Sequence, residues 1–247
     1  MTILLPSTLR WQCQHFDTLP STMDALAHSP INEEEIPLVW ADEQTAGRGQ
    51  RGTHWESAAG ENLLFSFVFR PPWVEACQQF FLSQITALSL VDVLSPIAQD
   101  ITIKWPNDLY HQNHKLCGML LYHQLSGTRI ASTTVGIGLN VNQKQFFSSA
   151  PNPISLWQIT GREHNREKLL HDFMSAFERW GRSDASHIAQ SYCTHLYRRE
   201  GMHAYQDTHS GEVFRATLHH IAPDGLLTLC DEQGRLRSFA FKEIRYL

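Results

Sequence analysis

Residues 43–56 read E-Q-T-A-G-R-G-Q-R-G-T-H-W-E, and this stretch decides between two kinds of fold. Its centre, Gly47–Gly52, satisfies the letters G-x-G-x-x-G of a dinucleotide-binding turn, which needs a strand before it and a helix directly after it. Here the chain continues into N-L-L-F-S-F-V-F-R at 62–70, a β-branched and aromatic run that predicts a strand. The acidic residue expected about 20 positions downstream is missing as well. The sequence therefore predicts a glycine-rich loop between two strands, and a dinucleotide-binding fold is the least favoured alternative.

The loop itself has two interpretations. Its glycines let the backbone approach a ligand closely, and Arg48 and Arg51, on either side of Gly49, can neutralise an anion. Taken alone, the motif is more typical of an ordinary glycine-rich hairpin whose arginines are solvated. The rest of the chain is needed to choose between a ligand-binding loop and a plain hairpin.

Composition narrows the class of protein. With 247 residues, of which 42% are hydrophobic and 18% charged, the chain can bury a substantial core. Its formal net charge of −5 gives no global basic surface, which argues against nucleic acid as a partner. Five scattered cysteines with no C-x-x-C pair favour a reducing compartment over a disulfide framework or a zinc site. No signal peptide and no apolar run of membrane-spanning length is recognised, so we expect a cytoplasmic protein without a membrane partner.

Polar groups follow the predicted strands in three further places. Ser21 and Thr22 stand where a strand end meets a helix start, where they cap the helix or bind a polar ligand group. A short strand at 101–109 breaks at K-W-P-N-D, which brings Lys104, Asn107 and a carboxylate together as either a solvated turn or the polar corner of a site. Lys115 heads an apolar strand, and it is either at the wet end of that strand or a positioned cation.

The remaining pattern predicts an α+β chain with two parts. We expect helices at 73–97, 166–181 and 185–197, and a strand at 133–142 with Asn140 and Asn142 on one face. After Gly201 the chain changes to short strands separated by turns, which is typical of a small all-β module. The predicted division is therefore a larger domain, 1–199, and a module, 200–247.

Taken in order, five motifs resemble those of the biotin protein ligase family. They are S-T at 21–22, Q-T-A-G-R-G at 44–49, K-W-P-N-D at 104–108, K-L-C-G at 115–118 and G-I-G-L-N-V at 136–141. The resemblance implies a mixed sheet with helices like that of class II aminoacyl-tRNA synthetases, followed by an SH3-like β-barrel. Bifunctional members add an N-terminal DNA-binding domain, for which this chain has no room before the first motif, so we expect the monofunctional form.

The resemblance also implies roles for individual residues. Lys115 and Arg48 would be the catalytic cations. The biotin pocket would be formed by Ser21, Thr22, Gln44, Gly47, Arg48, Gly49, Lys115, Gly118, Leu120, Gly136 and Leu139. ATP would contact Arg48, Trp55, Lys104, Asn107 and Asn140. Magnesium would arrive with ATP and lie near Asn140, and no structural metal is expected because no histidine spacing suggests one.

The implied reaction is activation of biotin by ATP to biotinyl-AMP, followed by transfer to a lysine of a biotin carboxyl carrier protein. A lipoate or octanoate ligase and a non-catalytic sensor of biotin or biotinyl-AMP remain as alternatives, and homodimer formation is left open. Two positions depart from the family pattern. Gln50 stands where many relatives have a second arginine, which predicts weaker retention of the adenylate, and Met23 replaces the commoner asparagine.

Overall fold

The computed structural model describes residues 9–27, 34–49, 54–71, 73–148 and 152–247. Its twelve described strands form two separate sheets. The first sheet has seven strands: β1 (Arg10–Leu19), β2 (Glu35–Gln44), β3 (Leu63–Phe69), β4 (Ile101–Lys104), β5 (Asp108–His111), β6 (His114–Ser126) and β7 (Arg129–Leu139). The helices are α1 (Thr22–Ala25), α2 (Phe80–Leu94), α3 (Leu156–Thr160), α4 (Arg166–Gly181) and α5 (Ala185–Thr194). The second sheet contains β8 (His203–Asp207), β9 (Val213–Ile221), β10 (Leu227–Asp231), β11 (Leu236–Phe239) and β12 (Ile244–Tyr246).

The large sheet is mixed, as the family resemblance implies. Its spatial order is β1-β2-β3-β7-β6-β5-β4, with β1 parallel to β2 and the other neighbours antiparallel. β2 and β3 are antiparallel neighbours, so the stretch that starts at Glu43, near the end of β2, leads from one strand to its paired neighbour, as predicted. Every residue of β3 is buried, which explains why all of its side chains except that of Ser66 are apolar.

One face of this sheet is covered by helices. Phe65 and Phe67 of β3 pack against Phe173 and Phe177 of α4, with ring centroids 4.9–5.8 Å apart in the three contacts they share. α2 packs against both α4 and α5, so nearly all of its residues are buried and it has no polar face. By length and hydropathy alone Ala76–Leu94 would be long and apolar enough to cross a membrane, contrary to the sequence prediction. In the structure, however, 67% of the apolar segment is buried against the rest of the protein, which is typical of a core helix.

Several element boundaries differ from the prediction. The helix predicted at 73–97 begins at Phe80 after a 3-10 turn, Ala76–Gln78. β1 extends over ten residues, whereas only its end was predicted, because the strand is mostly exposed and lacks an apolar pattern. β7 ends at Leu139, so the predicted strand face shared by Asn140 and Asn142 is wrong. The short α3 was also not predicted, although Ser155 and Gln158 form a capping box at its start.

The second sheet is the antiparallel module predicted after Gly201. Its order is β11-β10-β9-β8-β12, and its first residues follow α5 closely. The module docks on the turn after β4, because the indole nitrogen of Trp105 donates to the carbonyl of Gly225 at 3.0 Å. Phe241 packs edge-on against Trp105 with ring centroids 5.3 Å apart. The position of the module is therefore fixed on the same turn that carries K-W-P-N-D.

All five cysteines are free.

Candidate active site

A cavity of about 660 Å³ lies on the face of the large sheet that the helices leave open. Residues directly opposite each other in paired strands share a face, so the register identifies its floor. One row runs Ser66, Gly136, Leu120 across three strands. The next row runs Gly138, Gly118, Asp108, Lys104 across four strands. With neighbouring strands about 4.8 Å apart, the floor from β3 to β4 spans roughly 19 Å, enough for an elongated ligand.

Three floor positions are glycines because other side chains lie directly on them. A Cβ at Gly138 would be 2.5 Å from Cε2 of Trp55, and one at Gly118 would be 2.9 Å from Cζ3 of the same ring. A Cβ at Gly136 would be 2.7 Å from Sδ of Met23. The indole and the thioether therefore form an apolar layer on the middle of the floor.

The β3 end of the cavity is polar and uncharged. The Oγ1 of Thr22 donates to Oε1 of Gln44 at 3.0 Å and lies 2.7 Å from Oγ of Ser66, while the Thr22 amide donates to the same Gln44 oxygen at 2.8 Å. Ser21 is buried at the N-cap position of α1, but its side chain makes no capping hydrogen bond with the described part of the chain. Hydroxyls and an amide held in this way can recognise a small group that both donates and accepts hydrogen bonds.

Lys115 occupies the middle of the cavity and faces a carboxylate. Its Nζ lies 2.8 Å from Oδ1 of Asp108 and 5.5 Å from the ring centroid of Trp55. A β-bulge in the pairing of β5 with β6 places Lys115 opposite Tyr110, whereas Gly118 is opposite Asp108. The bulge changes the alternation of side chains, so Lys115 shares the cavity face with Asp108.

The β4 end of the cavity is cationic. Nζ of Lys104 donates to the hydroxyl of Tyr110 at 2.8 Å and lies 4.5 Å from the centroid of that ring. Burial lowers the pKa of Lys104, and the charge of Lys115 lowers it further, while Asp108 raises it. Burial raises the pKa of the Tyr110 hydroxyl, so the phenol stays protonated. The desolvated ammonium is therefore well placed to bind an anionic group, whose charge would offset the free-energy cost of burying the ammonium.

Arg48 is held at the rim by a residue of α1. Its guanidinium forms an ion pair with Asp24, and both side chains are about half exposed. The backbone at Arg48 bridges to His54, so the loop closes on itself at this point. Arg48 can reach a ligand in the cavity by exchanging the Asp24 carboxylate for an anion of the ligand.

Two asparagines have mainly backbone partners. The Nδ2 of Asn107 donates to the carbonyl of Met119 at 2.6 Å. The Nδ2 of Asn140 donates to the carbonyls of Ile154 and Lys115 at 3.0 and 3.4 Å. Its Oδ1 is buried and has no hydrogen-bond partner within the described residues. Asn140 lines the cavity, so this orphaned acceptor belongs to a residue of the site.

Two loops at the rim are tied together by a glutamate and a glutamine. Glu56 accepts hydrogen bonds from the amides of Phe147 and Ser148 at 2.7 and 2.8 Å. Buried Gln143 accepts from the Asn62 side chain at 2.6 Å and donates to the carbonyl of Gln145 at 2.8 Å. Burial would raise the pKa of Glu56, but the hydrogen bonds from Ser148, Phe147 and Gln143 outweigh it and lower the pKa.

Most of the predicted site residues line the cavity. They are Ser21, Thr22, Gln44, Arg48, Gly49, Trp55, Lys104, Asn107, Lys115, Gly118, Leu120, Gly136 and Asn140. Leu139 does not, because it is opposite Leu63 and Cys117 on the helix-covered face. Gly47 does not line the cavity either, since it packs against the Trp55 carbonyl. Gln50 and Arg51 lie outside the described residues, so the predicted effect of Gln50 stays a prediction.

The sequence interpretation missed other lining residues, which include Met23, Ser66, Tyr110 and Lys242, and it assigned no ligand contact to Gly138 or to Asp108, the carboxylate of the predicted polar corner. Asp108 and Gly138 stand within quoted motifs, so their position was a usable signal. Ser66 and Lys242 carry no local signal, because only strand pairing and docking of the module bring them to the cavity. Elsewhere, the ligand atoms of His15, Asp17 and Asp42 lie within 4.8 Å of one another. Two of these side chains are exposed and Asp42 pairs with Arg166 at 2.9 Å, which gives no argument for a metal.

Comparison with known proteins places the chain in a family. The family model described as Biotin/lipoate A/B protein ligase family matches residues 16–142, slightly more than half of the 247 residues. The chain belongs to the biotin/lipoate A/B protein ligase family. All five motifs that carry the sequence resemblance lie within the matched residues.

Individual members of the biotin/lipoate ligase family agree with this assignment. The bifunctional ligase/repressor BirA of Bacillus spizizenii is 32% identical over 180 residues, which are 69% of this chain and 54% of that protein. The biotin--[acetyl-CoA-carboxylase] ligase of Paracoccus denitrificans is 37% identical over 152 residues, 58% of this chain and 61% of that one. The chain thus spans about half the length of the BirA relatives that it matches.

A solved family structure shows the same fold over nearly the whole chain. The biotin protein ligase from Aquifex aeolicus in complex with biotin and ATP superposes with a TM-score of 0.77, covering 95% of this chain and 99% of that one. Sequence identity over the superposition is 23%, so the likeness establishes the architecture, including the second sheet.

Proposed function

We propose that this protein activates biotin with ATP to form biotinyl-AMP and transfers the biotinyl group to a lysine of a carrier protein. The observation that carries the proposal is the order of groups along one cavity. Hydroxyl and amide groups stand at the β3 end, Lys115 stands in the middle, and Lys104 stands at the β4 end. Biotin has a polar, uncharged ureido ring at one end and a carboxylate at the other, and ATP adds the phosphates, so this order suits the pair of substrates.

The first half-reaction follows from this placement. A carboxylate oxygen of biotin forms a bond to the α-phosphorus of ATP while the bond from that phosphorus to the oxygen bridging to the β-phosphate breaks. The bonding electron pair leaves with pyrophosphate. Lys115, held between Asp108 and Trp55, stabilises the charge that builds on the transferred phosphoryl group. Arg48, once released from Asp24, supplies a second cation to the same group.

Magnesium enters as the ion bound to ATP, and the site has oxygen atoms that fit it. Asn140, whose Oδ1 has no partner among the described residues, and Asp108 both line the cavity, and Mg²⁺ prefers such oxygen ligands. When bound, the ion would neutralise phosphate charge. Asn140 stays fixed meanwhile by its hydrogen bonds to two backbone carbonyls.

The second half-reaction needs no protein nucleophile. The neutral amine of an acceptor lysine attacks the acyl carbon of biotinyl-AMP, forms an amide bond and displaces AMP. The layer formed by Trp55 and Met23 keeps water from one side of the mixed anhydride. The names of the relatives point to an acetyl-CoA carboxylase carrier as acceptor, and the free cysteines support an intracellular reducing compartment.

A lipoate or octanoate ligase is the second candidate, because the family model includes such enzymes. Lipoate and octanoate end in apolar groups, which could not use the hydrogen-bonding capacity that Thr22, Gln44 and Ser66 retain beyond their bonds to one another. Burying polar groups in this way is unfavourable, so the polar β3 end favours biotin. A non-catalytic sensor is disfavoured by the ion-paired Lys115 in the middle of the cavity.

Mass measurement of a carrier domain after incubation with ATP, Mg²⁺ and either biotin or lipoate tests the proposal. We expect a biotin increment from the wild-type chain and a loss of about 100-fold or more in biotinyl-AMP formation for Lys115→Ala. Lys168→Ala is the matched control, since Lys168 pairs with Asp172 on the exposed face of α4. A lipoyl increment, or adenylate formation by Lys115→Ala at the wild-type rate, would refute it.

A further inference from the structure

A lysine from the C-terminal module reaches the cavity of the larger sheet. Lys242 lines the cavity together with Lys104, Asn107 and Asp108. Its turn is fixed within the module, because the Lys242 carbonyl accepts from Oγ1 of Thr208 at 2.8 Å and the Ala240 amide donates to Oε2 of Glu243 at 2.7 Å. The module therefore presents this side chain from a defined backbone position.

The residue before Lys242 anchors the turn on the large sheet. The Phe241 ring packs against Trp105 and Phe80, with ring centroids 5.3 and 6.3 Å away. Trp105 directly follows Lys104, the last residue of β4. Packing of the Phe241 ring on Trp105 thus sets the position of the Lys242 backbone relative to Lys104.

Lys242 differs from the other lysines and the arginine of the cavity, each of which has a partner. Arg48 pairs with Asp24, Lys115 with Asp108, and Lys104 donates to Tyr110. For the Lys242 ammonium there is no hydrogen bond or ion pair with the residues that the structure describes. Its backbone has φ of 69°, a left-handed conformation that glycine adopts more easily than lysine. Lys242 is an exposed residue in the wall of the cavity, so its ammonium can bind an anionic ligand there without giving up a contact to another described residue.

We infer that Lys242 binds the β- and γ-phosphates of ATP and stabilises the departing pyrophosphate. This inference rests on the proposed function. Lys242 and Lys104 stand at the end of the cavity farthest from Thr22 and Gln44, which is where the phosphates extend once the biotin ring occupies the polar end. As the bond from the α-phosphorus breaks, its electron pair adds charge to pyrophosphate, and two ammonium groups there stabilise it. The C-terminal module thereby completes the active site.

Binding of ATP to three variants tests this inference without requiring turnover. Lys242→Gly removes the ammonium and suits the left-handed backbone, Lys242→Arg retains a cation, and Lys144→Ala is the control because Lys144 contacts Trp157 outside the cavity. We expect Lys242→Gly to weaken Mg-ATP binding about tenfold, with Lys242→Arg closer to wild type and Lys144→Ala unchanged. Biotin affinity should be unchanged in all three. The effect on ATP should shrink at high ionic strength.

Two half-reactions measured separately complete the test. Lys242→Gly should slow pyrophosphate exchange, while transfer from supplied biotinyl-AMP to the carrier keeps its wild-type rate. Equal ATP affinity in wild type and Lys242→Gly would overturn the inference even if the wild type makes biotinyl-AMP. Failure of the wild type to bind biotin or ATP would overturn the proposed function as well, and circular dichroism of each variant would exclude misfolding as the cause.

Discussion

At the scale of single residues, the floor glycines allow the side chains of Trp55 and Met23 to lie directly on the sheet. A Cβ at Gly138 would lie 2.5–2.8 Å from three atoms of the Trp55 indole, which is a rigid ring. A Cβ at Gly136 would meet the thioether of Met23, whose unbranched chain can adopt another rotamer. Gly136 and Gly138 are two residues apart on β7 and face the same way, so their alanine variants can be compared directly.

We expect Gly138→Ala to displace the Trp55 indole and weaken ATP binding about tenfold, which corresponds to about 1.4 kcal/mol. Gly136→Ala should have a smaller effect on ATP, because Met23 can move aside. Calorimetric titration of ATP into both variants gives the comparison. In a Trp55→Ala background, the Gly138→Ala change should add nothing further, since the clashing ring is gone. An additive loss in the double variant would show that the clash with Trp55 is not the cause.

At the scale of elements, the two rim loops behave as one unit through Glu56. Its carboxylate is the common acceptor for the amides of Phe147 and Ser148, and Gln143 links the same region to Asn62. The described residues of these loops lie outside the strands and helices, and these hydrogen bonds join one loop to the other. Loss of one carboxylate should therefore loosen the rim without unfolding the core.

Glu56→Ala should accelerate hydrogen exchange at Phe147 and Ser148 while leaving the exchange of β3 unchanged. Because the folded-state pKa of Glu56 lies below its ordinary value, its stabilisation is complete above the ordinary pKa near 4.5 and is lost as the pH falls through the folded value. The difference in exchange between wild type and variant, measured at each pH, should therefore vanish under acidic conditions. A difference that persists below the folded pKa would show that the charge of Glu56 is not what holds the rim.

The elements also show how far sequence alone reaches. The strand after the glycine-rich loop and the amphipathic α4 follow from local patterns, which is why both were predicted. The orientation of Lys115 does not follow, since strict alternation from Gly118 would turn it away from the cavity, and only the β-bulge reverses this. Leu139 was misplaced for the related reason that its face depends on register with Leu63. Strand register and the docking of the C-terminal module depend on residues far apart in sequence, so no local segment predicts them.

At the scale of the whole molecule, the C-terminal module is joined to the large sheet through two turns. In the first turn, the carbonyl of Gly225 accepts a hydrogen bond from the Trp105 indole. The same turn lies close to the start of α2, because a Cβ at Gly225 would be 2.8 Å from Cδ2 of Phe80. A module of fewer than fifty residues buries too little apolar surface to be very stable alone. Its folding should thus be coupled to the large sheet through these contacts, and the position of Lys242 should depend on them.

Gly225→Ala and Gly211→Ala separate this docking contact from backbone strain. Both glycines have positive φ, 95° and 74°, but a Cβ at Gly211 would meet nothing within 4 Å. Both variants lose stability through the left-handed backbone, and Gly225→Ala should lose about 1–3 kcal/mol more through overpacking against Phe80. Urea unfolding followed by circular dichroism measures the difference. Gly225→Ala should also slow biotinyl-AMP formation, because the turn bearing Lys242 moves with the module, whereas Gly211→Ala keeps the wild-type rate. Equal stability and equal activity of the two variants would mean that the module is not positioned through Phe80.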